Sequence, residues 1–160
     1  CEAAINVAIA FRLGSELAAR GYDVIYTRSG DITDDGLSFR AEIANNVLAD
    51  CFLSLHCNAA ESIGARGVEV YCYLGAVEGR RLAACIQKQL VAAAYTIDRG
   101  VKEANFAVLR LTDMPAILVE CGFITSDEDR AFLVTDEGQE TVALAIAHGL
   151  LHYLGAGQTG

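Results

Sequence analysis

The chain has 160 residues, 53% of them hydrophobic, and 12 Lys and Arg set against 21 Asp and Glu give a net charge of −9. This length holds one domain with a core of its own, and the apolar content excludes a disordered chain. The acidic balance excludes the basic face that nucleic-acid binding needs and opposes docking on an anionic membrane surface, while no run of 18 apolar residues is present to be inserted into a bilayer.

The sequence starts at Cys1, without Met, directly in a helical pattern, as a fragment or a processed product would. Residues 2–20 read as a helix stopped by Gly21, residues 23–28 as a short strand and 29–36 as a polar loop. A helix over 37–49 leads into a strand at 50–56, a loop of small residues and an alternating strand at 67–74. An amphipathic helix follows at 78–95. Strands at 105–111 and 116–120 flank the only proline, Pro115. The last helix covers 136–154, ahead of a loose tail at 155–160. Alternating helices and strands predict an α/β fold: three layers, a mostly parallel twisted sheet with helices on both faces. Ligands in such folds sit beyond the carboxyl ends of the strands.

Two apolar runs end in a titratable residue, Cys51-Phe52-Leu53-Ser54-Leu55-His56 and Ala116-Ile117-Leu118-Val119-Glu120. In parallel strands His56 and Glu120 emerge at one edge, and an ionisable group there is costly unless it is paired or bound. Glu2 opens the helical stripe Glu2, Ile5, Ile9, Leu13, Leu17, which spans about 120° and faces the core. Glu2 could simply favour the helix dipole, or it could aim a carboxylate at His56. An imidazole and a carboxylate suit zinc, and a catalytic zinc wants three protein ligands, so one is missing from this count.

Two tempting motifs fail. His148 and His152 have the i, i+4 spacing of a metal pair, but Val142, Ile146, Leu150 and Tyr153 place the buried stripe on the opposite side of that helix. His56 and Cys57 are strand neighbours and point to opposite faces. The six cysteines show no C-x-x-C spacing, and most lie in or beside apolar runs, so buried free thiols are expected.

At this point the motifs resemble a family, the zinc-dependent N-acetylmuramoyl-L-alanine amidases of the amidase_3 type, which hydrolyse peptidoglycan. Glu2 followed by Asn6 is similar to the family's metal-binding helix. Val24-Ile25-Tyr26-Thr27-Arg28, Arg40 with Ala44-Asn45 and Ala49-Asp50, Ser54-Leu55-His56-Cys57-Asn58-Ala59 and Gly67-Val68-Glu69-Val70-Tyr71 follow in order. Asp98-Arg99-Gly100-Val101-Lys102 resembles a substrate-side segment, as do Asn105-Phe106 and Val108-Leu109-Arg110. Leu118-Val119-Glu120-Cys121-Gly122-Phe123 resembles the strand that carries the catalytic Glu. The match runs from Glu2 to about Leu154.

The resemblance implies an amidase catalytic domain over 2–154, zinc held by Glu2 and His56, and Glu120 as general base. Asn58, Arg99 and Arg110 fall on the substrate side, with Arg99 or Arg110 holding carboxylates of the stem peptide. It further implies a monomer that acts on peptidoglycan at the cell envelope, with an open site that needs no activator because the link after Leu74 is short. The family's third ligand is a His on a Gly-His-Gly loop after an initial strand, and no counterpart precedes Cys1. The alternative is a relative that binds peptidoglycan without metal or catalysis.

Overall fold

A computed structural model describes residues 2–28, 36–62 and 64–156. In chain order the elements are α1 (Glu2–Ala19), α2 (Leu37–Asn46), β1 (Phe52–Asn58), β2 (Val68–Cys72), α3 (Val77–Ala92), β3 (Asp98–Glu103), α4 (Ala107–Arg110), β4 (Ala116–Phe123), α5 (Asp127–Leu133) and α6 (Asp136–Ala156). Among the described residues the sheet has four strands in the order β1-β4-β2-β3. β1 pairs with β4 and β2 with β3 in parallel, so the sheet is mostly parallel, but β2 runs antiparallel to β4.

The period-2 alternation of the strands sorts their side chains into two cores. One face carries Cys57, Val68, Val70, Ile117, Val119 and Cys121, and packs against the apolar stripes of α1, α3 and α6. The other carries Phe52, Ala116 and Leu118, covered by Ala44 of α2 and by Val108 and Leu109 of α4. The sheet thus has helices on both faces, as expected. The α1 stripe buries Ile5, Ile9, Leu13 and Leu17, and the α6 stripe buries Val142, Ile146, Leu150 and Tyr153. His148 and His152 lie exposed on the outer side of α6. The five described cysteines are free thiols, and Cys1 lies outside the described residues. No helix among the described residues is long and apolar enough to cross a membrane.

Gly149 sets the closeness of α3 and α6. A Cβ there would lie 2.6 Å from the Ile86 Cα and 2.8 Å from the Cys85 carbonyl oxygen. Both neighbours are backbone, so the helices would have to part. Gly149→Ala is expected to lower stability by roughly 1–3 kcal/mol despite a helix-propensity gain of up to about 1 kcal/mol. Thermal unfolding of this variant against wild type measures the difference.

Four local expectations need correction. Residues 23–28 form no strand: Val24 packs on the core while Ile25 and Tyr26 are exposed, and without a ladder partner β-propensity does not make a strand. Residues 105–111 contain the helical turn α4, which buries the consecutive Val108 and Leu109 together, as a strand would not. Residues 98–103 are the edge strand β3, whose largely polar sequence carries no apolar alternation. Helix α5 was also unanticipated, although Ser126 caps it by accepting from the Asp129 N–H at 3.3 Å and three acids fill its first turn. The loop expected at 29–36 lies outside the described residues except for Gly36, and of the tail 155–160, Gly155 and Ala156 complete α6 while 157–160 are not described.

Candidate active site

The antiparallel step between β4 and β2 decides where the polar side chains meet. The carboxyl ends of β1 and β4 lie at the same rim as the amino ends of β2 and β3. His56 is the Cα partner of Glu120, and Glu120 is in turn the partner of Glu69 near the start of β2. Three strands therefore bring an imidazole and two carboxylates side by side on the face that α2 and α4 cover only farther down.

The N-terminus of α1 closes this rim. His56 Nδ1 faces Glu2 Oε1 at 3.6 Å. Asn6, one turn along the helix, donates from Nδ2 to the same Glu2 oxygen at 3.3 Å and accepts from Cys57 Sγ at 3.3 Å. The other ring nitrogen, Nε2, lies 2.9 Å from the buried Ser54 Oγ, two residues back on the same face of β1. The imidazole is thereby turned with Nδ1 toward Glu2. Burial lowers the His56 pKa from its ordinary value, against the opposing pull of Glu2, so the ring is held neutral with a lone pair to give. Burial, followed by the charges of Glu2, Glu120 and Asp129, pushes the Cys57 thiol up to about 12, so this cysteine is not a nucleophile.

Glu120 is the unspent group of the site. Its Oε2 is buried and has no hydrogen-bond partner among the described residues. Burial first, then the charges of Glu2 and Glu69, push its pKa up to about 7. A carboxylate poised there holds or releases a proton near neutral pH, as general acid–base chemistry requires.

Glu69 is the opposite case. It is 1% exposed and fully engaged: Oε1 accepts from Asn58 Nδ2 at 3.0 Å and from the Tyr71 hydroxyl at 2.9 Å, and Oε2 accepts from Arg99 Nε at 3.0 Å and from Lys102 Nζ. Burial alone would raise its pKa, but the bonds from Lys102, Arg99 and Tyr71 outweigh this and hold the carboxyl below its ordinary range. Two adjacent carboxylates are thus pushed apart in acidity, one kept as an anion and the other poised to titrate.

Of the residues singled out from the sequence, the structure brings Glu2, His56 and Glu120 together, with Asn58 and Arg99 joined to them through Glu69. Arg110 stands apart at the end of α4, donating to Asn105 Oδ1 at 2.6 Å. Glu69, Tyr71 and Lys102 were not identified as site residues beforehand. The available signal was an acid between two valines in Val68-Glu69-Val70, since a charge inside an alternating strand needs partners. Among the described residues no group of three His, Cys, Asp or Glu side chains is arranged to hold a metal ion.

The family model described as Amidase_3, N-acetylmuramoyl-L-alanine amidase, matches residues 1–152. The uncharacterized protein YqiI of Bacillus subtilis (strain 168) is 38% identical over 154 residues, covering 93% of this chain and 72% of its own length. The N-acetylmuramoyl-L-alanine amidase LytC of the same organism is also 38% identical over 154 residues, covering 95% of this chain but only 31% of LytC. The crystal structure of an N-acetylmuramoyl-L-alanine amidase from Clostridium difficile 630 superposes with a TM-score of 0.92 at 36% identity, covering 99% of this chain and 86% of that one. On this family match and these relatives, the chain belongs to the Amidase_3 family of N-acetylmuramoyl-L-alanine amidases, hydrolases of the peptidoglycan amide bond.

Proposed function

We propose that this domain cleaves the amide between the lactyl group of N-acetylmuramic acid and L-alanine, at the cell envelope, with Glu120 as general base beside a zinc ion held in part by Glu2 and His56. The observation that carries the reading is the buried, unpartnered Glu120 Oε2. A relative that only bound peptidoglycan would gain nothing from a desolvated carboxylate with a pKa near neutrality, and would lose stability by keeping it.

The donor set fits zinc as far as it goes: a neutral imidazole and a carboxylate aimed at one another, with the far ring nitrogen anchored by Ser54 as outer-shell partners anchor ligating histidines. When bound, the ion supplies a water acidified toward neutral pH and a positive charge beside the scissile carbonyl. Glu120 Oε2 takes a proton from the attacking water as its oxygen bonds to the carbonyl carbon. It then delivers that proton to the amide nitrogen as the C–N bond breaks, leaving a lactyl carboxyl group and a free L-alanine amine. Asn58, Arg99 and Arg110 lie on the peptide side in this reading. The link from β2 to α3 spans only residues 73–76, and in this reading the site needs no activator.

Metal analysis of the full-length protein tests the ligands. Wild type is expected to retain one zinc per chain. His56→Ala and Glu2→Ala are each expected to weaken retention against a chelator by about 100-fold or more. Mass spectrometry of digested wall tests the reaction, because free muramoyl lactyl groups and new L-alanine N-termini must appear together.

A further inference from the structure

The Glu69 cluster holds more cationic hydrogen-bond donors than it uses. Arg99 and Lys102 both bind Glu69 Oε2, so two cations share one anion. An arginine carries five N–H donors and a lysine three, and each spends one here. Four guanidinium and two ammonium N–H groups find no protein acceptor among the described residues. Both side chains are about one-third exposed, 34% for Arg99 and 39% for Lys102, so these donors reach solvent at the rim. Neighbouring acids do not take up these donors. Asp98 Oδ1 accepts from Gln87 and from the Gly100 N–H, and Glu103 is paired with Arg80. In a chain with a net charge of −9, this is a built island of cationic donors around Glu69, the ladder neighbour of Glu120.

The island is also rigid. The Arg99 guanidinium lies over the Phe123 ring, 4.9 Å from its centroid. The Arg99 stem crosses Gly67, where a Cβ would come within 2.6 Å of Arg99 Cγ. Gly67 itself has φ +127° and donates its N–H to the buried Asp129 Oδ2 at 2.9 Å. A cation held this way gives up little side-chain freedom when it meets an anion. Position completes the argument. Glu120 stands on β4, Glu69 on the adjacent β2 and the two cations on β3 beyond it, so the β3 backbone lies two strand spacings, about 10 Å, across the sheet from β4, while the charged ends of Arg99 and Lys102 reach back to Glu69. A stem peptide cleaved beside Glu120 and running across β2 toward β3 covers about 7 Å in two residues.

We propose that Arg99 and Lys102, yoked by Glu69, form a subsite for a carboxylate on the residue after L-alanine, so that the domain distinguishes stem peptides with a free carboxylate there from those carrying a carboxamide. This rests on the amidase reading above and deepens it. A carboxylate accepts charge-assisted bonds from both cations, whereas a carboxamide brings no charge and adds donors facing donors.

The test uses two N-acetylmuramoyl-peptides that differ only in that group, carboxylate or carboxamide, and the full-length protein. The carboxylate substrate is expected to have a kcat/KM about 10-fold or more higher, mainly through KM, with the ratio shrinking as salt is raised. Lys102→Gln and Arg99→Gln should each pull the ratio toward one, and Lys102→Arg should restore it. Equal kcat/KM for the two substrates in wild type, or an undiminished ratio in the Lys102→Gln, Arg99→Gln double variant, overturns the subsite and leaves the amidase reading standing. Cleavage of neither substrate overturns the amidase reading, and the subsite falls with it.

Discussion

Glu120→Gln is expected to abolish activity and stabilise the fold at once. Removing a positioned general base costs about 10²–10⁴-fold in kcat, with substrate affinity changed far less because in the proposed reaction Glu120 acts on the attacking water. Stability should move the other way. The folded-state pKa of Glu120 is pushed up to about 7 from 4.5, so the folded protein holds this proton more tightly than the unfolded chain does. Wild-type stability therefore declines as pH rises through the interval from about 4.5 to 7, and the full penalty is present above it. Glutamine carries no charge to desolvate. Allowing for the solvent that reaches the side chain, the variant should be more stable than wild type by about 1–2 kcal/mol at pH 8, or roughly 2–6 °C in Tm. The two proteins should converge below pH 4.5. Thermal unfolding at pH 4 and pH 8, set beside turnover of wall fragments, reads both effects. A variant that is inactive but no more stable at pH 8 would show that Glu120 is not the desolvated group described.

Glu69→Ala is expected to be the most damaging substitution to the fold at this rim. It strips the common partner from Arg99 and Lys102 and removes the acceptor used by Tyr71 and Asn58. Breaking a buried ion pair from one side costs about 3–5 kcal/mol. The cations can turn to solvent, which brings the expected loss to about 2–4 kcal/mol. Because the Glu69 carboxyl is held below its ordinary range, its contribution is complete above the unfolded value near 4.5 and is lost as pH falls through the lower folded value. The gap between wild type and variant should therefore narrow in acid. Glu69→Gln, which keeps an acceptor and the shape, should lose about half as much. Denaturant unfolding at pH 7 and pH 3 separates these cases.

The contrast between Glu120 and Glu69 also shows what the sequence could and could not disclose. His56 and Glu120 were legible because each ends an apolar run, and a charge at the end of a buried strand needs a reason. Glu2 was legible from helical periodicity, which set it on the same stripe as Ile5 and Ile9. The motif resemblance then tied these three residues to one chemistry. Glu69 was not legible as a site residue, because its place beside Glu120 depends on β2 running antiparallel to β4, and strand direction leaves no mark on a single strand's pattern. Strand β3 was hidden for a related reason. At the sheet edge, its Asp98, Arg99 and Lys102 make polar contacts instead of filling a core, so the period-2 signal is absent. α4 was misread because Asn105 to Leu111 is apolar enough for a strand, and only the packing of Val108 and Leu109 together under the sheet made a helical turn the better solution. α5 does carry a sequence signal, since Ser126 and Asp129 are spaced as a helix cap.

The parallel pairing of β1 with β4 sets one more property, in time rather than space. His56 and Glu120 are ladder partners about 64 residues apart in the chain, and closing a loop of that length carries an entropic cost of about 4 kcal/mol. The pairing of His56 with Glu120 therefore draws on the contacts of the elements between them to offset that cost. A nascent chain that has emerged only through α3 holds His56 without Glu120 or its neighbouring strand, so the rim cannot form until β4 has been made.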